Sequence, residues 1–143
     1  DFDTTKKENS DFDTLYLEGG ILHYFEDIYV FMKKLYSMLK EGGKIVLNDF
    51  HPINKIIKKN NGKLEISGDY FNTDIVVGDV AYATLIKGVD YDSIPKSKLR
   101  IYKLSDIITS MAKAGFVIKE FIEEERYDNR KGIPCLFTII AKK

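Results

Sequence analysis

Residues 13–51 read DTLYLEGGILHYFEDIYVFMKKLYSMLKEGGKIVLNDFH, and this stretch decides the fold. Residues 14–17 form a short run rich in strand formers, and residues 45–47 form another. Between them Ile28, Phe31, Met32, Leu35 and Leu39 recur at helical spacing, giving a helix one apolar face. Glu26 and Asp27 stand where a helix N-terminus favours negative charge and a capping oxygen. Lys40 closes the predicted helix, and Gly42 is expected to end it in left-handed backbone. The pattern is strand, Gly-Gly turn, helix, Gly-Gly stop and strand. Two strands joined through a helix are expected to lie parallel, as in half of a doubly wound α/β sheet.

Outward from this stretch, residues 104–114 predict a second helix. Leu104, Ile107, Ile108, Met111 and Ala112 form its apolar face, Gly115 its stop, and Ser105 its expected cap. Val117, Ile118, Phe121 and Ile122 populate a following strand, and a charged connection leads to residues 133–141, an apolar run suited to burial on both faces. Residues 53–103 depart from strand–helix alternation. INKIIKKNNGK predicts a short helix stopped by Asn60-Asn61-Gly62, followed by strand pieces at 64–66, 74–77, 80–86 and 99–103. Gly78-Asp79 predicts a hairpin joining the second and third of these pieces.

The 143 residues suit one domain, and 44% apolar content suits a globular chain. Lys plus Arg and Asp plus Glu are each 22, so no net charge draws the chain to nucleic acid or to an anionic membrane. The four lysines of residues 55–63 read as a solvated face rather than a binding patch. Cys135 is the only cysteine, which excludes a disulfide within the chain and suits a cytoplasmic setting. No apolar run approaches the roughly 20 residues that span a membrane. No His, Cys, Asp and Glu spacing suggests a metal site.

The order of motifs resembles the second half of a class I S-adenosylmethionine-dependent methyltransferase. Gly19-Gly20 and Leu22-His23 match the turn and Leu-His pair after that family's fourth strand. Leu39-Lys40-Glu41-Gly42-Gly43 matches its Leu-Lys-Pro-Gly-Gly stop, with Glu41 in place of proline, and Asp49 matches the acidic end of the fifth strand. Ala114-Gly115-Phe116 matches the lead-in to the sixth. The resemblance implies a partial Rossmann-like sheet in the family order 4-5-7-6, its last strand antiparallel, with a β-rich insertion at about 62–103. Residues 53–103 would form a substrate lid within a single domain, 1–143. The family's first strand and Gly-rich turn are missing, since no G-x-G segment exists in the chain.

The resemblance also assigns candidate residues. Asp1 and Phe2, twelve positions before Asp13, would hold the adenine of S-adenosylmethionine, or form only an acidic terminus. Glu18, Gly19, Gly20 and His23 would border its methionine end, in a turn that can also be read as purely structural. His23 is open to a structural reading at the cleft wall or to a role as base. His51 is the candidate catalytic base from its intrinsic pKa, against the alternative of a turn histidine before Pro52. Asp49, Tyr70, Phe71, Tyr82, Arg100 and Tyr102 are candidates for contact with the methyl acceptor. Aromatic residues in strands more often pack than recognise, whereas Arg100 among apolar residues needs an anionic partner.

The function this implies is methyl transfer to a small-molecule acceptor, requiring the missing N-terminal half, with no nucleic-acid or membrane partner. The fragment alone is expected to be inactive and to bind the cofactor poorly. The alternative is a non-catalytic α/β module that self-associates. The edge at residues 13–18 is expected to pair with a second copy or with the missing half.

Overall fold

A computed structural model of the chain describes residues 12–79, 85, 87–125 and 132–143. The elements run β1 (Phe12–Leu17), α1 (Ile28–Met38), β2 (Leu39–Phe50), β3 (Ile57–Asn60) and β4 (Lys63–Ile66), then β5 (Ile75–Gly78), β6 (Ser97–Arg100), α2 (Leu104–Ala114), β7 (Val117–Glu125) and β8 (Pro134–Lys142). The main sheet orders its strands β1-β2-β8-β7. β1 and β2 are parallel, joined through α1, and β8 is antiparallel to both β2 and β7.

Alternation along the strands gives the sheet one closed face. Leu17, Ile45, Leu47, Phe137, Ile139 and Ala141 pack there against Phe31, Met32 and Leu35 of α1 and Ile107 and Met111 of α2. Each large apolar side chain buried this way contributes about 1.5–3 kcal/mol. Asp27 caps α1 by accepting the Val30 amide at 3.0 Å. The opposite face, around Tyr16, Phe50 and Ile122, stays accessible, at 63%, 46% and 41% exposure.

Several sequence expectations are corrected. α1 ends at Met38 rather than at Lys40, because Leu39 turns extended and joins the ladder opposite Phe12. Gly42 does have left-handed backbone, but it lies in an irregular stretch of β2, where the register slips between Phe12 and Thr14. The predicted helix over INKIIKKNNGK is a single 3₁₀ turn, Pro52–Lys55, followed by the β3–β4 hairpin. Asn61 (φ 47°) and Gly62 (φ 81°) both take positive φ there, which is what a two-residue hairpin turn demands and Asn-Gly supplies. β5 pairs antiparallel with β6; the expected hairpin across Gly78-Asp79 involves a strand at 80–86 that lies mostly outside the described residues. The last strand piece ends at Arg100.

α2 begins one residue before the expected cap, Ser105. The Lys103 amide donates to the Asp106 carboxylate at 3.1 Å, and the Leu104 amide donates to the Tyr70 hydroxyl at 3.1 Å. Two amides at the helix start are thereby satisfied without Ser105. No described helix is long and apolar enough to cross a membrane.

Candidate functional site

Because β1 and β2 are parallel, their carboxyl ends lie side by side, the place where open α/β sheets bind ligands. Gly19 and Gly20 follow β1 with φ of 82° and 83°. A Cβ on Gly20 would meet the Phe50 ring at 2.6 Å and the His23 ring at 3.1 Å, so only glycine allows these side chains to close over the turn. The chain then makes the short 3₁₀ turn Leu22–Tyr24.

Asp49 ties this turn to the end of β2. Its Oδ2 accepts the Leu22 amide at 3.0 Å and its Oδ1 accepts the Phe50 amide at 2.6 Å. Burial holds the carboxyl above the ordinary carboxylate range, while those amides and the Lys55 ammonium pull it back. Tyr102 is pinned likewise, donating to the Phe25 carbonyl at 2.6 Å. Burial pushes its hydroxyl up to about 12.

His23, Asp49, Phe50, Lys55, Arg100 and Tyr102 line a cavity of about 20 Å³. A wider hollow of about 280 Å³ adjoins it, sharing His23, Phe50 and Lys55 and adding Asn54, Leu99 and Cys135. Burial and the nearby Lys55 lower the pKa of His23. Burial lowers that of Lys55, against the pull of Asp49.

Among the sequence candidates, His23, Asp49, Arg100 and Tyr102 meet at this cavity, beside Gly20. The others lie elsewhere. His51 is buried with Nδ1 accepting the Ile53 amide at 3.2 Å and Nε2 3.1 Å from Glu123 of β7, its ring edge-on to Phe137. β2 ends at Phe50 and His51 caps the turn that Pro52 starts, so the turn-histidine alternative describes it and its ring does not enter the cavity. The Glu18 carboxylate is exposed and accepts the Tyr16 hydroxyl at 2.6 Å. Tyr70 serves the start of α2, and Phe71 is 76% exposed rather than lining a site. Asp1, Phe2 and Tyr82 lie outside the described residues. Sequence reasoning missed Lys55, grouped with the exposed lysines that follow it. The signal was its place four residues beyond His51, in the turn Pro52 starts at the end of β2.

The two histidines give a pH prediction. Burial lowers both below the ordinary 6.5, Lys55 helping at His23 and Glu123 opposing at His51. On acidification the unfolded chain therefore takes up these protons first. Stability is full above about pH 6.5 and falls below it, by up to about 1.4 kcal/mol per pH unit for each proton. Asp49 has the opposite sign: its raised carboxyl adds stability as the pH falls through its folded-state value, and that gain is complete near 3.8. Urea unfolding between pH 5 and 7 should show the slope, and His51→Asn, which keeps an acceptor near Nδ1, should flatten it in part.

The comparisons with known proteins follow this geometry. No protein-family model matches the chain, and no curated protein matches it. Solved structures do. An S-adenosylmethionine-dependent methyltransferase structure from Listeria monocytogenes superposes with a TM-score of 0.72 at 21% identity, over 96% of this chain and 64% of that one. The fold is that of the S-adenosylmethionine-dependent methyltransferases. A second structure with this methyltransferase fold, from Mesorhizobium loti, gives 0.68 at 20% identity, over 99% and 67% of the two chains. A 1,6-didemethyltoxoflavin-N1-methyltransferase from Burkholderia thailandensis, solved with 1,6-didemethyltoxoflavin and S-adenosylhomocysteine, gives 0.53 at 12% identity, over 98% and 47%. The chain thus spans about two thirds or less of the length of these methyltransferase structures. Among its described residues, no three His, Cys, Asp or Glu side chains group as a metal site.

Proposed function

We propose that this chain is the acceptor-binding part of an S-adenosylmethionine-dependent methyltransferase acting on a small molecule. The observation that carries the proposal is the cavity beyond the carboxyl ends of β1 and β2, in a sheet with the methyltransferase fold. In this reading β1, β2, β8 and β7 are strands four, five, seven and six of that fold, and residues 53–103 cover the acceptor. The single cysteine suits a reducing compartment, and we place the reaction in the cytoplasm.

The residues present fit one end of the cofactor. A Cβ on Gly19 would meet nothing within 4 Å, so backbone at the end of β1 lies open for the methionine end, with Glu18, Gly20 and His23 around it. Asp1 and Phe2 remain the proposed adenine contacts. When bound, S-adenosylmethionine supplies a methyl group already activated by its sulfonium. The chain's own part is to orient the acceptor and exclude water, a proximity effect. An acceptor that must lose a proton needs a base, and we assign that role to His23. It borders the cavity and is held neutral by burial and by Lys55, whereas the His51 ring is turned toward Glu123.

The Gly-rich turn of the fold has no counterpart in these 143 residues, so activity in this proposal needs an N-terminal half. The β1 edge is the proposed contact, either for that half or for a second copy. β7, the opposite edge, carries Glu120, Glu123, Glu124 and Glu125, charges that discourage pairing, whereas β1 presents Phe12 and Tyr16. Assay of labelled methyl transfer is the test. Transfer to small molecules is expected from the polypeptide joined to a Gly-rich N-terminal half, and none from this chain alone. Failure of both, at confirmed folding, would count against the proposal.

A further inference from the structure

The cavity holds a charge arrangement that methyl transfer by itself does not require. Arg100 ends β6 with its Nε buried and without a hydrogen-bond partner. A buried, unpaired guanidinium nitrogen carries a desolvation penalty that a bound anion would remove. Among the described residues Arg100 has no carboxylate within 4 Å, and its guanidinium carbon lies 6.0 Å from the Tyr102 ring centre. The surrounding carboxylates are already engaged. Asp49 accepts two backbone amides. On the far side of Arg100, Asp27 caps α1, and Asp106 accepts the Lys103 amide and lies 3.5 Å from the Lys103 ammonium. Lys55 borders the same cavity, with no carboxylate within 4 Å among the described residues and Asp49 attracting it only from a greater distance.

We propose that Arg100 and Lys55 form an anion subsite that receives a carboxylate of the methyl acceptor, whose apolar body fills the adjoining hollow. The proposal rests on the methyltransferase reading for the word acceptor, but not for the binding itself. A carboxylate is chosen over a phosphate on charge: the cavity wall carries Arg100 and Lys55 against Asp49, which suits a singly charged anion better than a doubly charged phosphate monoester. The neighbouring hollow, about 280 Å³ between Phe50 and Leu99, has the size for one small ring. Burial already lowers the pKa of Lys55, so an incoming anion would raise it.

The test is amide NMR of the 143-residue chain, without cofactor, titrated with benzoate, benzamide and phenyl phosphate. Benzoate should give saturable shifts at Phe50, Lys55 and Arg100. Benzamide and phenyl phosphate should bind at least several-fold more weakly. Arg100→Gln should weaken benzoate roughly tenfold or more, the loss expected for a charge-assisted hydrogen bond. Arg100→Lys should restore part of the affinity, which separates charge from fork geometry and guards against a misfolded glutamine variant. Lys55→Gln should weaken benzoate several-fold, and Lys58→Gln, on the exposed β3 strand, should leave it unchanged. The proposal is overturned if benzoate shows no saturable shift, if benzamide or phenyl phosphate binds as tightly, or if folded Arg100→Gln binds unchanged. Because no cofactor is used, this result can fail while methyl transfer stands, and the reverse.

Discussion

Asp49→Ala should destabilise the chain by about 3 kcal/mol, read as a lower urea midpoint with an unchanged slope. The carboxylate is 4% exposed and accepts amides from both sides of the cavity wall, Leu22 after β1 and Phe50 at the end of β2. Alanine leaves both amides without this acceptor, each at a cost of about 1–3 kcal/mol. Part of that is offset, since burial already disfavours the charged carboxyl. Asp49→Asn has one acceptor oxygen and should fall between the two. The loss should also reach the site, because the 3₁₀ turn carrying His23 is fastened to β2 through this residue. An alanine variant as stable as the parent would mean that the Leu22–Tyr24 turn is held by something other than Asp49.

Phe137→Ala should cost more, about 4 kcal/mol. Phe137 is fully buried in β8, stacked on Phe121 at 6.0 Å and 16°, with the His51 ring edge-on at 6.4 Å. Its removal leaves a void between β7 and the end of β2, and the Asp49 pairing partner in the ladder loses its side chain. For a domain whose total stability is about 5–15 kcal/mol, this is a large share. Phe71→Ala is the matched control. Phe71 is 76% exposed, so its loss should stay within about 0.5 kcal/mol. Equal effects from the two would contradict the packing described for β8.

These two phenylalanines also illustrate what the sequence disclosed. The β8 run is apolar at nearly every position and suited burial on both faces, whereas the strand alternates, with Cys135, Phe137, Ile139 and Ala141 buried and the positions between them only partly covered. The extent of α2 was legible from its helical stripe and from Gly115, but its cap was not, since Lys103 rather than the expected Ser105 stands at the N-cap. The β3–β4 hairpin was not legible. Ile53, Ile56 and Ile57 fall at helical spacing, and the Asn61-Gly62 turn, a tertiary-independent signal, outweighed them. The pairing of β5 with β6, which begins at Ser97, was not foreseen either, since no local pattern encodes a pairing that distant.

The candidate site was legible where chemistry and strand position coincide. His23, Asp49, Arg100 and Tyr102 stand at or beside strand ends, and they meet at one cavity. His51 was a candidate base from its intrinsic pKa, against the alternative of a turn histidine before Pro52. The strand stops one residue short of it, and Pro52 begins a turn that leaves the ring against Glu123. Lys55 was hidden in a lysine run, since charge density predicts solvent and cannot reveal which one side chain a turn folds back.

The most direct test of the central claim, that the carboxyl ends of β1 and β2 form a methyltransferase ligand site, is amide NMR with S-adenosylhomocysteine. The account predicts weak, saturable shifts confined to Gly19, Gly20, Leu22 and His23, with the β3–β4 hairpin unmoved. Shifts centred elsewhere, or none at the solubility limit of the ligand with the chain folded, would contradict it.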